Sequence, residues 1–400
     1  MGGTAIVVGG GAWGLPAALR LQDRGVAVTL IERFVPGGQS ASNGGTTRLW
    51  RLADTLPWRA RSLRDARDAL ERLGERLGES VFTRTGLLWR DTESLPAVAA
   101  ALAAIGERGE PVAADRVGEA FPGLRPDGRG ALYVEQAGVV HADRLLQGAL
   151  QAFIAAGGRY LPATRVIEVA AGDHAATVRV GAGSGVPDGT TLSADQVLIA
   201  AGPGTPELLP GLGLELPLTP YIEQVVYLGD PGAQPPAPPL PGLVDCPVGA
   251  GSDADSAGIY AMPNGASGYK VGLDIPLRPL AAGRLGDDLD RAEQPTRTEH
   301  IRARVARDLT AITPRVLGTQ VCTWTDSGDG DFIIGRTHPS VVLACGDSGE
   351  GFKYAAFMGE YLAALVLHED VDAEYQARWN PRRFGASTAP RSGHSSIGRH

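Results

Sequence analysis

Cysteine is scarce in this sequence, with only Cys246, Cys322 and Cys345 along 400 residues. A disulfide framework and a structural zinc site both need several cysteines or histidines at short, regular spacings. Three isolated thiols satisfy neither pattern. The sequence therefore excludes a disulfide-stapled scaffold and predicts no metal site, so any special role of a cysteine must be individual.

Long apolar runs are also absent. No segment approaches the roughly 20 consecutive apolar residues that span a bilayer. The first residues lack the basic segment followed by a long apolar core that is typical of a signal peptide. We therefore expect a cytoplasmic protein with no membrane contact.

Positive charge is in deficit, because 37 Lys and Arg residues face 45 Asp and Glu residues, a net charge of −8. Nucleic-acid binding requires clustered cations that neutralise phosphates, so this balance argues against a nucleic-acid partner. The composition, 43% hydrophobic and 20% charged, is that of a globular chain long enough for two cores. We expect its ligand to be a small molecule.

The first fifty residues carry the clearest pattern. The apolar run 5–8 predicts a buried parallel strand, and Gly9, Gly11 and Gly14 follow it in G-x-G-x-x-G spacing. In that spacing the first glycine makes the tight turn, the second admits a pyrophosphate, and the third packs the helix on the strand. The phosphates would lie at the helix N-terminus.

The next strand, 26–31, ends at Glu32, where an acid holds a ribose hydroxyl in dinucleotide-binding folds. Strand, turn, helix, strand and acid occur in register, which predicts a dinucleotide site rather than a purely structural turn. Glu32 favours NAD or the adenosine half of FAD over NADP. It does not distinguish NAD from FAD.

Periodicity and turn residues predict the remaining elements. The expected helices are 58–77, 98–105, 142–156, 297–309 and 355–367. The expected strands are 81–89, 131–134, 138–140, 164–169, 176–180, 197–201, 259–262, 269–273, 318–325, 331–335 and 341–346.

Five further motifs follow the glycine turn in a fixed order. They are Thr-Thr-Arg-Leu-Trp-Arg at 46–51, Phe-Thr-Arg-Thr-Gly at 82–86, Val-Cys-Thr-Trp-Thr at 321–325, Asp-Phe-Ile-Ile-Gly at 331–335 and Gly-Asp-Ser-Gly-Glu-Gly-Phe-Lys at 346–353. Together they resemble the monomeric sarcosine oxidase family. These D-amino-acid-oxidase-like flavoproteins include N-methyltryptophan oxidase and bacterial oxidases of cyclic imino acids, and the resemblance runs from residue 4 to about residue 385.

The resemblance implies an α/β fold with two domains. A GR2-type, Rossmann-like FAD-binding domain would be assembled from residues 1–85, 141–220 and 321–386. An α+β substrate domain on a mixed sheet would comprise 86–140 and 221–320. Residues 387–400, rich in Ser, Gly, Arg and His, are expected to form a disordered tail.

The resemblance also implies the cofactor and its contacts. Cys322 matches the family cysteine that carries FAD through a thioether to the flavin 8α-methyl; a small buried hydrophobe is the alternative, and it remains the interpretation of Cys345. The cofactor-binding residues implied are Gly9, Gly11, Gly14, Glu32, Arg33, Ser42, Thr47, Arg48, Val166, Gly202, Cys322, Gly349, Gly351, Phe352 and Lys353.

Three cations match functional positions of the family. Arg51 and Lys353 match the pair that holds the substrate carboxylate, a task that suits a guanidinium fork and a second fixed cation. Lys270 matches the lysine that promotes the reaction of reduced flavin with oxygen, an electrostatic effect. The alternative for Arg51 is a solvated surface charge, and the alternative for Lys270 is a snorkelling strand lysine.

Three pocket positions depart from the sarcosine-oxidising members. Asp274 and Glu350 stand where those members have histidines, and Trp324 replaces a tyrosine. These acids either line the far side of the pocket or are solvated loop residues. If they line it, sarcosine should be a poor substrate, and a cyclic imino acid or an amino acid with a cationic or hydrogen-bond-donating side chain a better one.

The function implied is that of a monomeric FAD-dependent amine oxidase. It would oxidise a secondary or cyclic amino acid to the imine by hydride transfer to flavin N5, with oxygen reduced to hydrogen peroxide. Its partners would be the amino acid and oxygen. The alternatives are an FAD-dependent amino acid dehydrogenase with another electron acceptor and a non-catalytic flavin-binding subunit.

Overall fold

A computed structural model describes residues 3–38, 42–183, 185–232, 239–249, 253–254, 256–265, 268–286 and 291–384. The tail predicted at 387–400 lies outside these residues. Within the described ranges, no helix combines the length and the apolar character that crossing a membrane requires.

The described chain alternates strands and helices. Its strands are β1 (Thr4–Val8), β2 (Ala27–Ile31), β3 (Thr47–Trp50), β4 (Phe82–Arg84), β5 (Leu87–Asp91), β6 (Glu110–Val112), β7 (Ala131–Val134), β8 (Gly138–His141), β9 (Arg159–Leu161), β10 (Val166–Ala171), β11 (Ala176–Val180), β12 (Thr191–Ala194), β13 (Gln196–Ile199), β14 (Thr219–Leu228), β15 (Gly242–Cys246), β16 (Ile259–Pro263), β17 (Tyr269–Leu273), β18 (Arg278–Pro279), β19 (Val316–Asp326), β20 (Ile333–His338) and β21 (Val341–Cys345). Its helices are α1 (Gly14–Asp23), α2 (Pro57–Leu77), α3 (Leu95–Ala104), α4 (Val117–Ala120), α5 (Ala142–Ala155), α6 (Pro295–Asp308), α7 (Ala355–Val366) and α8 (Ala373–Trp379).

A six-stranded sheet in the order β20-β21-β13-β1-β2-β9 carries the glycine turn. Five of its strands are parallel, and β20 runs antiparallel to β21 at one edge. Ala5 and Val7 pack into the core formed with α1, α5 and α7, whereas Ile6 and Val8 pack towards the small sheet β10-β11-β12. Because both faces are covered, β1 can be apolar throughout, as predicted.

The second layer is a nine-stranded mixed sheet in the order β18-β14-β17-β16-β15-β5-β7-β6, with β19 paired to β14. Helix α6 packs on one of its faces through contacts with β14 and β17. A further three-stranded sheet, in the order β3-β8-β4, contacts the nine-stranded sheet through β3 and β16. The predicted α/β class with a mixed second sheet is confirmed.

Two differences from the predicted elements have local causes. The single strand expected at 81–89 is broken by Gly86, whose φ is +75° and whose Cβ would meet the Tyr133 hydroxyl at 2.1 Å. Strand β4, before Gly86, belongs to the β3-β8-β4 sheet, and strand β5, after Gly86, belongs to the nine-stranded sheet. Strand β14 was not predicted, because Pro220 and Glu223 interrupt its apolar pattern.

The two-domain boundaries stay a prediction. Strands β5 to β7 and β14 to β18 belong to the large sheet, as do the residues of β19 on both sides of the expected boundary at 320.

The amphipathic pattern of α2 is confirmed, since Leu63, Ala66, Leu70 and Leu73 are buried.

The packing of α1 on β1 leads to a stability prediction for Gly14. A Cβ at this residue would lie 2.0 Å from the Gly9 carbonyl oxygen, so the Gly14→Ala variant must displace the helix from the turn. Such overpacking costs about 1–3 kcal/mol. We expect chemical denaturation to show that loss.

Gly318→Ala is the matched control, because a Cβ at Gly318 would meet no heavy atom within 4 Å. It should change the free energy of unfolding by less than about 1 kcal/mol. Equal stability of the two variants would contradict the close approach at Gly14.

Candidate active site

A cavity of about 290 Å³ lies where the six-stranded sheet meets the nine-stranded sheet. Its wall on one side is built from the ends of β1, β2 and β13, and on the other from β14, β16, β17 and β19. The loop before β3 and the segment after β21 complete the wall. Ligands in open α/β sheets bind at this carboxyl edge of the strands.

The glycine turn has the geometry that its spacing predicts. Gly9 has a φ of +103°, and a Cβ there would meet the Ala200 carbonyl oxygen at 2.3 Å, so only glycine fits between β1 and β13. Gly11 lines the cavity, and a Cβ there would approach the Asn43 amide nitrogen at 2.8 Å. The turn therefore brings bare backbone to the cavity at the start of α1.

Glu32 is held at the end of β2 by two backbone amides. The amide of Gly10 donates to its Oε2 and the amide of Phe34 to its Oε1, both at 2.7 Å. Burial raises the pKa of Glu32, and these two amide donors oppose the rise. The carboxylate is thereby fixed at the cavity wall, where a ribose hydroxyl would be held.

The fixed Glu32 carboxylate and the glycine backbone that lines the cavity fit FAD. Gly202, Gly349 and Gly351 line the cavity beside Gly9 and Gly11, so three separate loops keep side chains out of it. Most of the predicted cofactor contacts line the cavity: Gly9, Gly11, Glu32, Arg33, Ser42, Arg48, Val166, Gly202, Cys322, Gly349, Gly351, Phe352 and Lys353.

Gly14 and Thr47 do not line it. Gly14 lies behind the glycine turn, where the missing side chain allows α1 to pack closely against Gly9. The Thr47 hydroxyl donates to Asn264, and its carbonyl accepts hydrogen bonds from Arg48 and Lys270. Thr47 therefore positions two cavity cations and makes no cavity contact through its own side chain.

Arg48 organises the loop that precedes β3. Its guanidinium donates to the carbonyl oxygens of Ser42, Gly44 and Thr47, and it lies 5.4 Å from the centre of the Phe352 ring. The hydrogen bonds hold the loop together, and the contact with Phe352 joins it to the segment after β21.

Arg51 and Lys353 meet at one end of the cavity, and Glu350 lies between them. Arg51 Nη2 donates to Glu350 Oε1 at 2.8 Å, and Lys353 Nζ pairs with Glu350 Oε2. Asp54 lies 3.8 Å from Arg51 Nη1, and the guanidinium stands 5.1 Å from the Trp89 ring centre. Glu350 thus belongs to the cationic end, not to the far side of the pocket.

Burial governs the electrostatics of this end. It lowers the pKa of Arg51, with Asp54 acting in the opposite direction. It also lowers the pKa of Lys353 well below its ordinary value, and the neighbouring Arg51 adds to that effect. A bound anion would oppose both shifts, because a nearby negative charge favours the protonated forms of Arg51 and Lys353.

Lys270 lies on β17 and also faces the cavity. Its Nζ donates to the Thr47 carbonyl oxygen at 2.5 Å and stands 6.0 Å from the Tyr227 ring centre. Burial lowers its pKa well below the ordinary value, and Arg48 contributes further. Lys270 is not a solvated or snorkelling strand lysine, because only 3% of its surface is exposed.

Cys322 lies on β19 and Cys345 at the buried end of β21, and both residues line the cavity. Burial raises the pKa of the Cys322 thiol, with Arg48 opposing that rise. Opposite Cys322 on β14 stands Glu223, a cavity residue that the sequence analysis missed. A glutamate inside an otherwise apolar strand was the available signal.

Asp274 and Trp324 also line the cavity. Asp274 follows β17, is 4% exposed, and has a backbone amide that donates to Gly258. It is therefore not a solvated loop residue. The Trp324 indole stacks on Tyr221, with ring centres 4.9 Å apart, so one of its faces is already covered.

Comparison with known proteins agrees with this geometry. The chain is 26% identical over 377 residues to a monomeric sarcosine oxidase of Bacillus sp. (strain B-0618), which covers 90% of this chain and 91% of the relative. It is also 26% identical over 385 residues to an N-methyl-L-tryptophan oxidase of Yersinia pestis (strain Pestoides F), covering 91% and 94%. These matches confirm the resemblance predicted from the motifs.

Among solved structures, the open form of NikD, an unusual amino acid oxidase essential for nikkomycin biosynthesis, superposes with a TM-score of 0.80. The match covers 95% of this chain and 98% of NikD at 21% identity, and it confirms the fold. Residues 4–365 match the model of the FAD dependent oxidoreductase family, and the chain belongs to that family.

Proposed function

We propose that this FAD-dependent oxidoreductase is an amino acid oxidase that converts a secondary or cyclic amine to the imine. The observation that supports this most directly is the meeting of Arg51 and Lys353 in the same cavity as the glycine turn and Cys322. A carboxylate held there would lie beside the cofactor. We further propose that the protein is a monomer and that its FAD is bound covalently through Cys322.

Arg51 and Lys353 are the proposed anchor of the substrate carboxylate. A guanidinium has five N–H groups and an ammonium three. Arg51 donates to Ala53 and Glu350, and Lys353 pairs with Glu350, so both cations retain donors. Glu350 would then hold the two cations at a fixed separation while the substrate carboxylate uses the remaining N–H groups.

The cations also favour the reactive form of the amine. Only a neutral amine can lose a hydride from the adjacent carbon, and nearby positive charge lowers an amine's pKa. Arg51 and Lys353 would therefore bind the carboxylate and at the same time disfavour the ammonium form. When bound, FAD would accept that hydride and pass the electrons to oxygen, giving hydrogen peroxide.

Lys270 is the proposed site of oxygen activation. It reaches the cavity from β17, whereas Arg51 follows β3 and Lys353 lies in the segment after β21. A desolvated ammonium would stabilise negative charge as it develops on oxygen, since such preorganised charge acts strongly in a water-excluded site. The same residue has no required role in amine binding.

The thioether leads to a prediction for Cys322. A thioether survives unfolding, whereas hydrogen bonds and stacking do not. We expect the flavin to remain with the acid-precipitated wild-type chain and to be released from the Cys322→Ala variant. Intact mass spectrometry would detect the added FAD mass.

Cys246→Ala is the control for this prediction, because Cys246 is buried in β15 and is not one of the residues that line the cavity, so it should not affect attachment. A wild-type chain without the FAD mass, or covalent flavin retained in Cys322→Ala, would rule out the proposed bond.

The carboxylate anchor predicts the behaviour of Lys353→Met and Arg51→Met. Loss of one partner of a buried charged contact costs about 2–5 kcal/mol. The dissociation constant of a simple carboxylate such as acetate, measured by the change in flavin absorption, should therefore rise more than tenfold in each variant. Unchanged affinity in either variant would contradict the pose.

If Lys270 acts only on oxygen, the Lys270→Met variant should slow flavin reoxidation far more than flavin reduction. Anaerobic flavin reduction by substrate should stay within about tenfold of wild type, while reoxidation by oxygen slows by several powers of ten. Stopped-flow absorption separates the two. Wild-type flavin that remains reduced in air would instead favour a dehydrogenase.

A further inference from the structure

Gln320 lies on β19, two residues before Cys322, and both residues line the cavity. Side chains two positions apart on a strand point to the same face and stand about 7 Å apart. Only 6% of the surface of Gln320 is exposed. A neutral amide is therefore buried in the cavity wall, close to the proposed point of flavin attachment.

The side-chain amide of Gln320 has a partner at one end only. Its Oε1 accepts a hydrogen bond from the Tyr227 hydroxyl, whereas its Nε2 has no hydrogen-bond partner among the described residues. Buried polar groups are nearly always paired with protein or with a bound molecule, because an unpaired buried donor destabilises the fold. The free N–H groups of Gln320 therefore indicate a ligand on the cavity side.

Tyr227 fixes the orientation of that amide. Burial raises the pKa of Tyr227, with Arg48 opposing the rise, so the hydroxyl keeps its proton and donates it to Oε1. Gly45 packs against the pair, since a Cβ there would meet Gln320 Oε1 at 2.5 Å and the Tyr227 hydroxyl at 3.0 Å. Because Oε1 is used in this way, the donor end of the amide is the end left for a ligand.

The neighbouring cavity cations restrict the chemistry of that ligand. Lys270 and Arg48 both donate to the Thr47 carbonyl oxygen, and Lys270 Nζ stands 6.0 Å from the Tyr227 ring centre. A group that pairs with Nε2 must offer an acceptor, since an amide nitrogen only donates. Two nearby positive charges also disfavour a cationic group and favour one that gains negative charge.

We propose that Gln320 Nε2 donates a hydrogen bond to an acceptor atom of the flavin ring, and that Tyr227 holds the amide in place for it. FAD is the cofactor of the family to which the chain belongs, and its flavin ring carries nitrogen and oxygen acceptors. The inference rests on the proposed function for the position of this ring beside Cys322. The substrate carboxylate, the other acceptor expected in the cavity, is assigned to Arg51 and Lys353.

The proposed bond should stabilise the reduced flavin more than the oxidised flavin. Reduction adds two electrons to the ring, and a hydrogen bond to a charged acceptor is roughly twice as strong as one to a neutral acceptor. Gln320 would therefore raise the reduction potential of the bound flavin. A higher potential favours hydride transfer from the amine.

The test measures the reduction potential of the holoenzyme in the absence of substrate and oxygen. Enzyme flavin and a dye of known potential are reduced together, and their absorption bands give the equilibrium constant between them. Gln320→Met keeps a side chain of similar length without a donor, so this constant should shift about fivefold or more towards oxidised flavin. A fivefold shift corresponds to roughly 20 mV, at about 29.6 mV per tenfold for a two-electron couple.

Gln320→Leu removes the same donor with a different side-chain shape, so a shift caused by the donor should appear in both variants. Gln196→Met is the control. Gln196 lies on β13, donates to the Pro339 carbonyl oxygen and accepts from Arg336, and is not one of the residues that line the cavity. Its variant should leave the potential unchanged. Flavin content and Tm report whether each variant folds.

A potential that stays unchanged in either folded Gln320 variant would overturn the proposal, since the donor would then meet water alone. A shift towards reduced flavin, or an equal shift in Gln196→Met, would overturn it as well. The measurement needs neither amine oxidation nor the thioether. Failure to oxidise an amine, or flavin released on acid precipitation, would therefore reject parts of the proposed function without deciding the role of Gln320.

Discussion

The ion pairs of Glu350 with Arg51 and Lys353 are the contacts on which the active-site end of the cavity depends. Arg51 follows β3, whereas Glu350 and Lys353 follow β21, so one carboxylate joins chain segments some 300 residues apart in sequence. Two buried cations without a counter-charge would each bear a desolvation cost of several kcal/mol. Glu350 offsets part of that cost, because one carboxylate pairs with both basic groups.

The strands of the nine-stranded sheet set the spacing of the other polar groups that line the cavity. Lys270 lies on β17 and Asp274 directly follows that strand, about 13 Å further along, and both line the cavity. Gly272 leaves room for the Tyr260 ring, which a Cβ would meet at 2.3 Å. Lys270, the lysine proposed to act on oxygen, is thereby kept apart from the Asp274 carboxyl group.

Sequence reasoning was reliable where the determinants are local. The glycine turn, Glu32 and the amphipathic face of α2 depend on spacing within a few residues, and the structure confirms their geometry. It failed where the determinant is the register of distant strands. Glu223 enters the site only because β14 lies between β17 and β19. The position of Glu350 beside both cations likewise depends on tertiary packing that its own loop sequence does not encode.

The placement of Glu350 changes what the acids imply about the substrate. If Asp274 and Glu350 both faced the far side, the cationic end would keep Asp54 as a counter-charge but lose Glu350, and it would bind a small carboxylate more strongly. With Glu350 between Arg51 and Lys353, part of that attraction is already satisfied, and the carboxylate alone contributes less to binding. Selectivity then falls to groups elsewhere in the cavity. Glu223 and Asp274 are two buried acids on the facing sheet that line this remaining part of the cavity.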